Sequence, residues 1–307
     1  METFLQVLLD GIALGAVFAL IALGYTLVYG ILELINFAHG DLFMLTSFMS
    51  LTVLDAIGVD SGSPFYVKVI AFLLGLVVPM IFGGVLNVII ERVAYRRLRN
   101  APRLAPLISA IGVSFILIQI GLTWKGPSPV SFPRLWIPPV NLLDWTGLGL
   151  RFYLRSLLVI SMTVILLILL RFVVLHTKIG KAMRATSQDR DASALMGINI
   201  NRTISFAFLL GGALAGAAGL MYGLHTGTMV FTRGFETGLK AFTAAVLGGI
   251  GNLSGAVLGG FIIGIVESFS NYYLQSTWTN AVIFAILIII LVFRPSGLLG
   301  EQVGDKA

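Results

Sequence analysis

Apolar runs long enough to cross a bilayer recur through this chain, at residues 4–30, 67–90, 104–122, 156–175, 203–224 and 277–293, with almost no charged side chain inside them. A helix of about 20 apolar residues spans the roughly 30 Å hydrocarbon core of a membrane. Lipid offers peptide groups no hydrogen bonds, so such segments close their own as helices. The expected fold class is therefore all-α and polytopic. The 307 residues are 57% apolar and 11% charged, against roughly 45–50% and about 25% in a soluble domain. That length suits a single bundle of about nine transmembrane helices over residues 1–307, within a range of about eight to ten, and leaves no room for a separate catalytic domain. The absence of cysteine excludes disulfides and thiolate metal sites. The opening METFLQVLLDG lacks the basic n-region and cleavage site of a signal peptide, so the first apolar block is expected to stay in the mature protein.

The net charge of +6 is not placed as a nucleic-acid footprint would be. Arg92, Arg96, Arg97, Arg99 and Arg103 crowd one connection, and Arg171, Lys178, Lys181, Arg184, Arg190 and Arg202 another. Membrane proteins concentrate Lys and Arg in this way in cytoplasmic loops. An acidic start free of Lys and Arg then places the N-terminus outside, and a last span ending at Arg294-Pro295 leaves the tail inside. Residues 123–154 hold Trp124, Trp136, Trp145 and five prolines. The prolines exclude a regular helix, and the segment is expected to be an external loop with its tryptophans near the interface. The loop from Gly223 to Lys240 is expected outside as well. Residues 241–274 contain GGIGNLSGAVLGG, read as a tight inner turn between two helices, the first of them short enough to be re-entrant instead. Pro79 and Gly83-Gly84 suggest a kinked third span.

The longest polar run that still reads as folded is Arg171 to Arg202. Thr186 to Asp189 has capping-box spacing, which predicts a helix over 187–196 capped by Thr186 and released at Gly197. Gln188, Ala192, Leu195 and Met196 would form a narrow semi-apolar stripe on it, with Asp189, Arg190 and Ser193 facing elsewhere and Asp191 among the charges beside it. A helix of about three turns needs a surface to lie on.

Within the spans, Asn36, His39, Gly40 and Asp41 interrupt the second apolar run, which reads as a discontinuous helix. Asn36, His39 and Asp41 are either partners for freed backbone groups or the lining of a pathway or gate. They do not make a metal site, because His39 and Asp41 stand two apart and do not share a helix face. Glu267 and Asn271 share one face of the eighth span. Gly212 with Gly216 and Gly255 with Gly259 have the spacing of close helix packing, or alternatively of a hinge.

Asp191-Ala192-Ser193 followed by Gly197 has the spacing E-A-A-x-x-x-G and resembles the cytoplasmic loop of permease subunits of bacterial ABC importers. Asp and Ser stand where that motif has Glu and a second Ala, and Ala207 stands at the isoleucine of the I-x-L-P that often follows. The wider ATSQDRDASALMGIN from Ala185 to Asn199, ALGYTLVYGILELINFAHGD from Ala22 to Asp41, and FRPSGLLG from Phe293 to Gly300 resemble the branched-chain amino-acid permeases in particular. That resemblance implies a leucine, isoleucine and valine importer of the bacterial inner membrane. Residues 178–202 would be its cytoplasmic coupling loop. Its partners would be a second related permease, two cytoplasmic ATPase subunits and a periplasmic solute-binding protein. It implies no cofactor. Related permeases also serve urea, short-chain amides or other amino acids.

The chain's own residues exclude an ATPase site of the P-loop kind: Gly180-Lys181 has Leu175 where the first glycine belongs and Ala182 where Ser or Thr is needed. No nucleophile, base and orienting group assemble from the sequence, which speaks against an intramembrane enzyme. A stand-alone channel or secondary carrier is the other reading, and the few carboxylates in the spans, Asp41, Glu267 and Glu33, do not favour ion coupling.

Overall fold

A computed structural model describes residues 2–60, 62–99, 101–102, 104–133, 141, 143 and 150–300. In chain order the helices are α1 Glu2–Leu32, α2 Ala38–Ile57, α3 Phe65–Ile90, α4 Leu104–Lys125, α5 Leu154–His176, α6 Lys178–Gln188, α7 Arg190–Leu195, α8 Ile200–Thr226, α9 Arg233–Gly248, α10 Leu253–Tyr273 and α11 Ser276–Phe293. α3 continues through a π-helical turn, Glu91–Tyr95, and a 3-10 turn, Arg96–Leu98. Two short strands, β1 Val130–Ser131 and β2 Thr228–Met229, pair antiparallel with Val130 opposite Met229. Among the described residues eight helices are long and apolar enough to cross a membrane, and the chain is a multi-pass membrane protein.

α1 and α8 occupy the centre. The most apolar stretch of each is 72% buried, against 28% in α4 and α5 and 11% in α11. The outer helices instead expose rows of large apolar side chains such as Ile108, Ile168 and Val292, the surface that lipid covers.

Contacts along the helices give their directions. Gly15 of α1 lies against Phe261 and Gly260 of α10, and Gly11 lies against Ile265 and Ser268, so these two helices are antiparallel. A Cβ at Gly15 would stand 2.7 Å from the Cα of Phe261, a backbone atom that cannot step aside. α3 and α8 are antiparallel too, with Gly83 facing Gly212 and Met80 facing Gly216. The ends of α1 and α3 and the start of α8 then share one end of the bundle with α6 and α7. This is the basic end, carrying Arg92, Arg96, Arg99, Arg190 and Arg202. α8 leaves it and α10 starts at it, so residues 227–252 make the return pass. α9 provides most of that pass, and its 16 residues extend only about 24 Å at 1.5 Å each. Among the described residues the eight long helices fall within the eight to ten expected, and the short α9 brings the chain back between α8 and α10.

Three expectations are corrected. The second span is not discontinuous: α2 is one helix of 20 residues, and the polar break is the non-helical link 33–37 between α1 and α2. Glu33 takes φ +56 there and ends α1. The helix expected over 187–196 is two, because Asp189 adopts an extended conformation, φ −153, and breaks it. Thr186 is therefore no cap but a buried residue of α6. The supposed outer loop from Gly223 to Lys240 is largely helix, since α8 runs to Thr226 and α9 begins at Arg233. Arg103, Trp136 and Trp145 lie outside the described residues.

α2 and α9 approach each other most closely at glycines. A Cβ at Gly40 would fall 2.8 Å from the Cα of Gly238. Overpacking at such a contact costs about 1–3 kcal/mol. Gly40→Val is expected to lower the thermal midpoint of the detergent-purified protein by size-exclusion assay. Gly112→Val, which meets nothing within 4 Å on α4, leaves it unchanged.

Candidate functional site

The segment between α5 and α8 is built by caps. The Thr177 side chain accepts from the Gly180 amide at 3.1 Å and starts α6. The Asp189 carboxylate accepts from the Ala192 amide at 2.9 Å and starts α7. α7 ends with Gly197 donating to the Ala194 carbonyl and Ile198 to that of Ser193, both at 3.0 Å, and Gly197 sits at φ +82. Two caps within so few residues satisfy the free amides and carbonyls that otherwise unravel a helix of six residues. Ser193 turns inward and is buried, while Leu195 is 89% and Met196 83% exposed. Gln188, Asp189, Asp191, Ala192 and Gly197 are exposed as well. Gln188 closes α6 on the other side of the Asp189 break, so the four-residue stripe is not one helix face.

Arg190 is the exception, half-buried and aimed at the bundle. Its guanidinium donates to the carbonyls of Ile31 at 3.0 Å and Leu32 at 2.9 Å. These are last-turn carbonyls of α1, which have no partner within their own helix and sit at its negative end. α7 is thus tied to the innermost helix.

The link after α1 carries the second constellation. Asn36 donates to Asn87 at 3.3 Å, Asn87 donates to the Phe208 carbonyl at 2.7 Å, and the Tyr95 hydroxyl donates to Asn36 at 3.1 Å. This chain of buried amides joins the link to α3 and α8. Asn36 is separated from the other two candidates, which belong to the first turn of α2. His39 packs edge-on against Tyr25 with centroids 4.7 Å apart. Asp41 accepts from the Ser114 hydroxyl near the midpoint of α4, and its other oxygen, Oδ1, lies against Gly234 with no hydrogen-bond partner among the described residues. The three candidates therefore face two environments, an amide chain and the α2–α9 contact.

At the basic end Glu91 is fully buried and accepts from Arg96 at 3.0 Å, from Ser205 at 2.8 Å and from Arg99. Burial pulls the Arg99 guanidinium below its usual range, and the charge of Glu91 works against that.

A third place was not read as a site from sequence. A cavity of about 260 Å³ between α1, α8, α9 and α10 collects Arg233, Lys240, Glu267 and Asn271 against Leu14 and Phe18. Lys240 meets Glu267 at 2.8 Å and Glu236 at 3.5 Å, and Arg233 meets Glu236 at 3.2 Å. Glu267 and Asn271 do share a face as expected, and their counterpart Lys240, at the end of the segment expected to be a loop, belongs to α9. The signal was present: Arg233, Glu236 and Lys240 recur at i, i+3 and i+7, one face of a helix. Among the described residues no three His, Asp or Glu side chains gather as a metal site.

Comparison with known proteins bears on what this bundle does. The family described as "Branched-chain amino acid transport system / permease component" matches residues 7–291. The chain is 37% identical over 306 residues to the high-affinity branched-chain amino acid transport system permease protein LivH of Escherichia coli K12, covering 99% of this chain and 97% of that protein. Against the protein BraD of Pseudomonas aeruginosa, which carries the same description, it is 38% identical over 307 residues, 99% and 98% of the two chains. The probable branched-chain amino acid transport permease protein LivH of Methanocaldococcus jannaschii is 30% identical over 290 residues, 92% and 88%. No solved structure matches the chain.

The Lys240–Glu267 pair is testable on its own. The two side chains are 8% and 13% exposed, and removing one partner of a buried pair costs roughly 3–5 kcal/mol, whereas replacing both with apolar residues is often neutral. Lys240→Met is expected to lower the thermal midpoint markedly. Lys240→Met with Glu267→Leu should recover most of the loss, as read by melting of the purified chain in detergent.

Proposed function

Because the chain belongs to the family of branched-chain amino acid transport permease components, we propose that it is the membrane subunit of an ATP-driven importer that takes leucine, isoleucine and valine across a bacterial inner membrane. Its partners are a second related permease, two ATPase subunits and a periplasmic binding protein. The basic end lies in the cytoplasm, by the placement of its arginines, and residues 123–154 lie on the periplasmic side.

The observation that carries this reading is the exposed apolar pair Leu195 and Met196 on a doubly capped helix anchored to α1 by Arg190. A soluble protein surface is the fitting cover for such a pair, and the capped turn holds it ready without lipid contact. Ala192 lets a partner approach closely. ATPase closure displaces α7, and Arg190 passes the displacement to α1. From the end of α1 it reaches the 33–37 link, where Asn36 holds α3 and α8 through Asn87 and Tyr95. The bundle responds because α1 is also the main partner of α10, which packs with α9 around the paired charges. No chemistry on the cargo is involved.

Burying a Leu or Met side chain stabilises a contact by about 1.5–3 kcal/mol, so Leu195→Ala with Met196→Ala is expected to weaken ATPase co-purification by a factor on the order of ten or more. Ala192→Trp and Gly197→Val should leave membrane insertion intact and abolish stimulation of ATP turnover by the loaded binding protein. Uptake of labelled leucine, isoleucine and valine by cells lacking the gene should fall together. Full stimulation in Ala192→Trp would show α7 to be only a connector.

A further inference from the structure

A groove of about 540 Å³ runs between α3 and α8 at the basic end, apart from α7 and from the cavity of paired charges. Val88, Phe206 and Leu209 form its walls, and Arg92, Arg96 and Arg202 stand around it. α3 continues away from the groove as an exposed apolar row, with Ile81 61%, Val85 50% and Ile89 50% accessible. These residues are four apart and lie on one face of the helix. One strip of surface therefore passes from guanidinium groups directly to hydrocarbon-facing side chains.

The charges here are unbalanced. Three guanidinium groups, Arg92, Arg96 and Arg202, line the groove and no carboxylate does, and the nearby Glu91 is already taken by Arg96 and Arg99. The side chains of Arg92 and Arg202 make no ion pair or hydrogen bond among the described residues. A guanidinium presents a planar fork of donors that matches phosphate oxygens. An acidic patch on a soluble protein would match the arginines and leave the apolar row bare. A neighbouring membrane helix would cover the row and leave the arginines unpaired. An anionic phospholipid supplies both halves, a phosphate and acyl chains joined at the right boundary.

We infer that this groove is a binding site for an anionic phospholipid, its phosphate held by Arg92, Arg96 and Arg202 and its acyl chains laid along Ile89, Val85 and Ile81. The site is independent of the cargo and of ATPase docking. Arg92 and Arg202 are the residues to change, because Arg96 also holds Glu91.

The purified full chain is equilibrated with vesicles of phosphatidylcholine and phosphatidylglycerol and re-extracted, and retained lipid is counted by native mass spectrometry. The wild-type chain is expected to keep phosphatidylglycerol in preference to phosphatidylcholine. Each arginine near a membrane surface contributes a factor of about five, so Arg92→Gln with Arg202→Gln should cut retention of phosphatidylglycerol by about 25-fold and leave phosphatidylcholine unchanged. Leu209→Trp, which keeps every charge and narrows the groove, should also expel it. Arg97→Gln, exposed at the same end but outside the groove, should not. Equal retention in the double variant overturns the site, and so does an equal loss in Arg97→Gln, which would mean bulk charge. Binding of inorganic phosphate as tight as that of phosphatidylglycerol would mean a soluble anion site. Loss of another subunit with lipid retention unchanged would mean a protein interface. Either of these also overturns the proposal.

Discussion

Water is absent from the hydrocarbon, so a buried polar group of this chain is stabilised by meeting another part of the same bundle. Asn36 is met by Asn87 and Tyr95, Glu91 by Arg96 and Ser205, and Lys240 by Glu267. The first two sets join elements far apart in sequence, and the third ties the consecutive helices α9 and α10. A helix that slid by a single residue would leave two groups unpartnered at once, at about 1–3 kcal/mol each and more for charged groups. Apolar packing alone sets no such register, because lipid tails are as apolar as leucine. Glycines stand at the same interfaces and bring the backbones close there, Gly83 against Gly212 between α3 and α8 and Gly248 against Gly255 between α9 and α10.

The long helices were legible in the sequence because their signal is local: an apolar run of the right length has one solution in lipid. The glycine-rich GGIGNLSGAVLGG was legible as a tight turn between two helices, and it does separate α9 from α10. The glycine spacings read as packing, and Gly212 and Gly216 do pack on α3. What was misread depends on partners distant in sequence. Thr186 has the spacing of a cap, yet burial of its side chain and the aspartate three residues later shift the helix start, and Asp189 takes the cap instead. Asn36 to Asp41 looked like a break inside a span because the residues that satisfy it, Asn87, Tyr95 and Ser114, lie 50 or more positions on. Lys240 looked like a loop residue because one face of α9 is polar, and only α10 reveals that the face is inward.

Arg190 was legible as a charge on the short polar helix, and its anchor was not. Its pairing with the carbonyls of Ile31 and Leu32 requires knowing where α1 ends, and Glu33 at φ +56 sets that end. The same holds for Glu91, which stands in sequence at the edge of an arginine run and in space, itself fully buried, at the centre of a network of partly buried donors.

The two-residue ladder between β1 and β2 lies at the opposite end from these arginines, and it joins the chain just after α4 to the chain just before α9. Phe132 extends it by donating to the Gly227 carbonyl at 2.9 Å, with its ring against Gly223. The residues that lead into the short helix are thereby not a free tether but one half of a latch. Sliding the segment after α4 along its axis must either break those backbone hydrogen bonds or draw the approach to α9 with it. The first turn of α9, which packs on Asp41, then feels a pull applied at the rim some distance away.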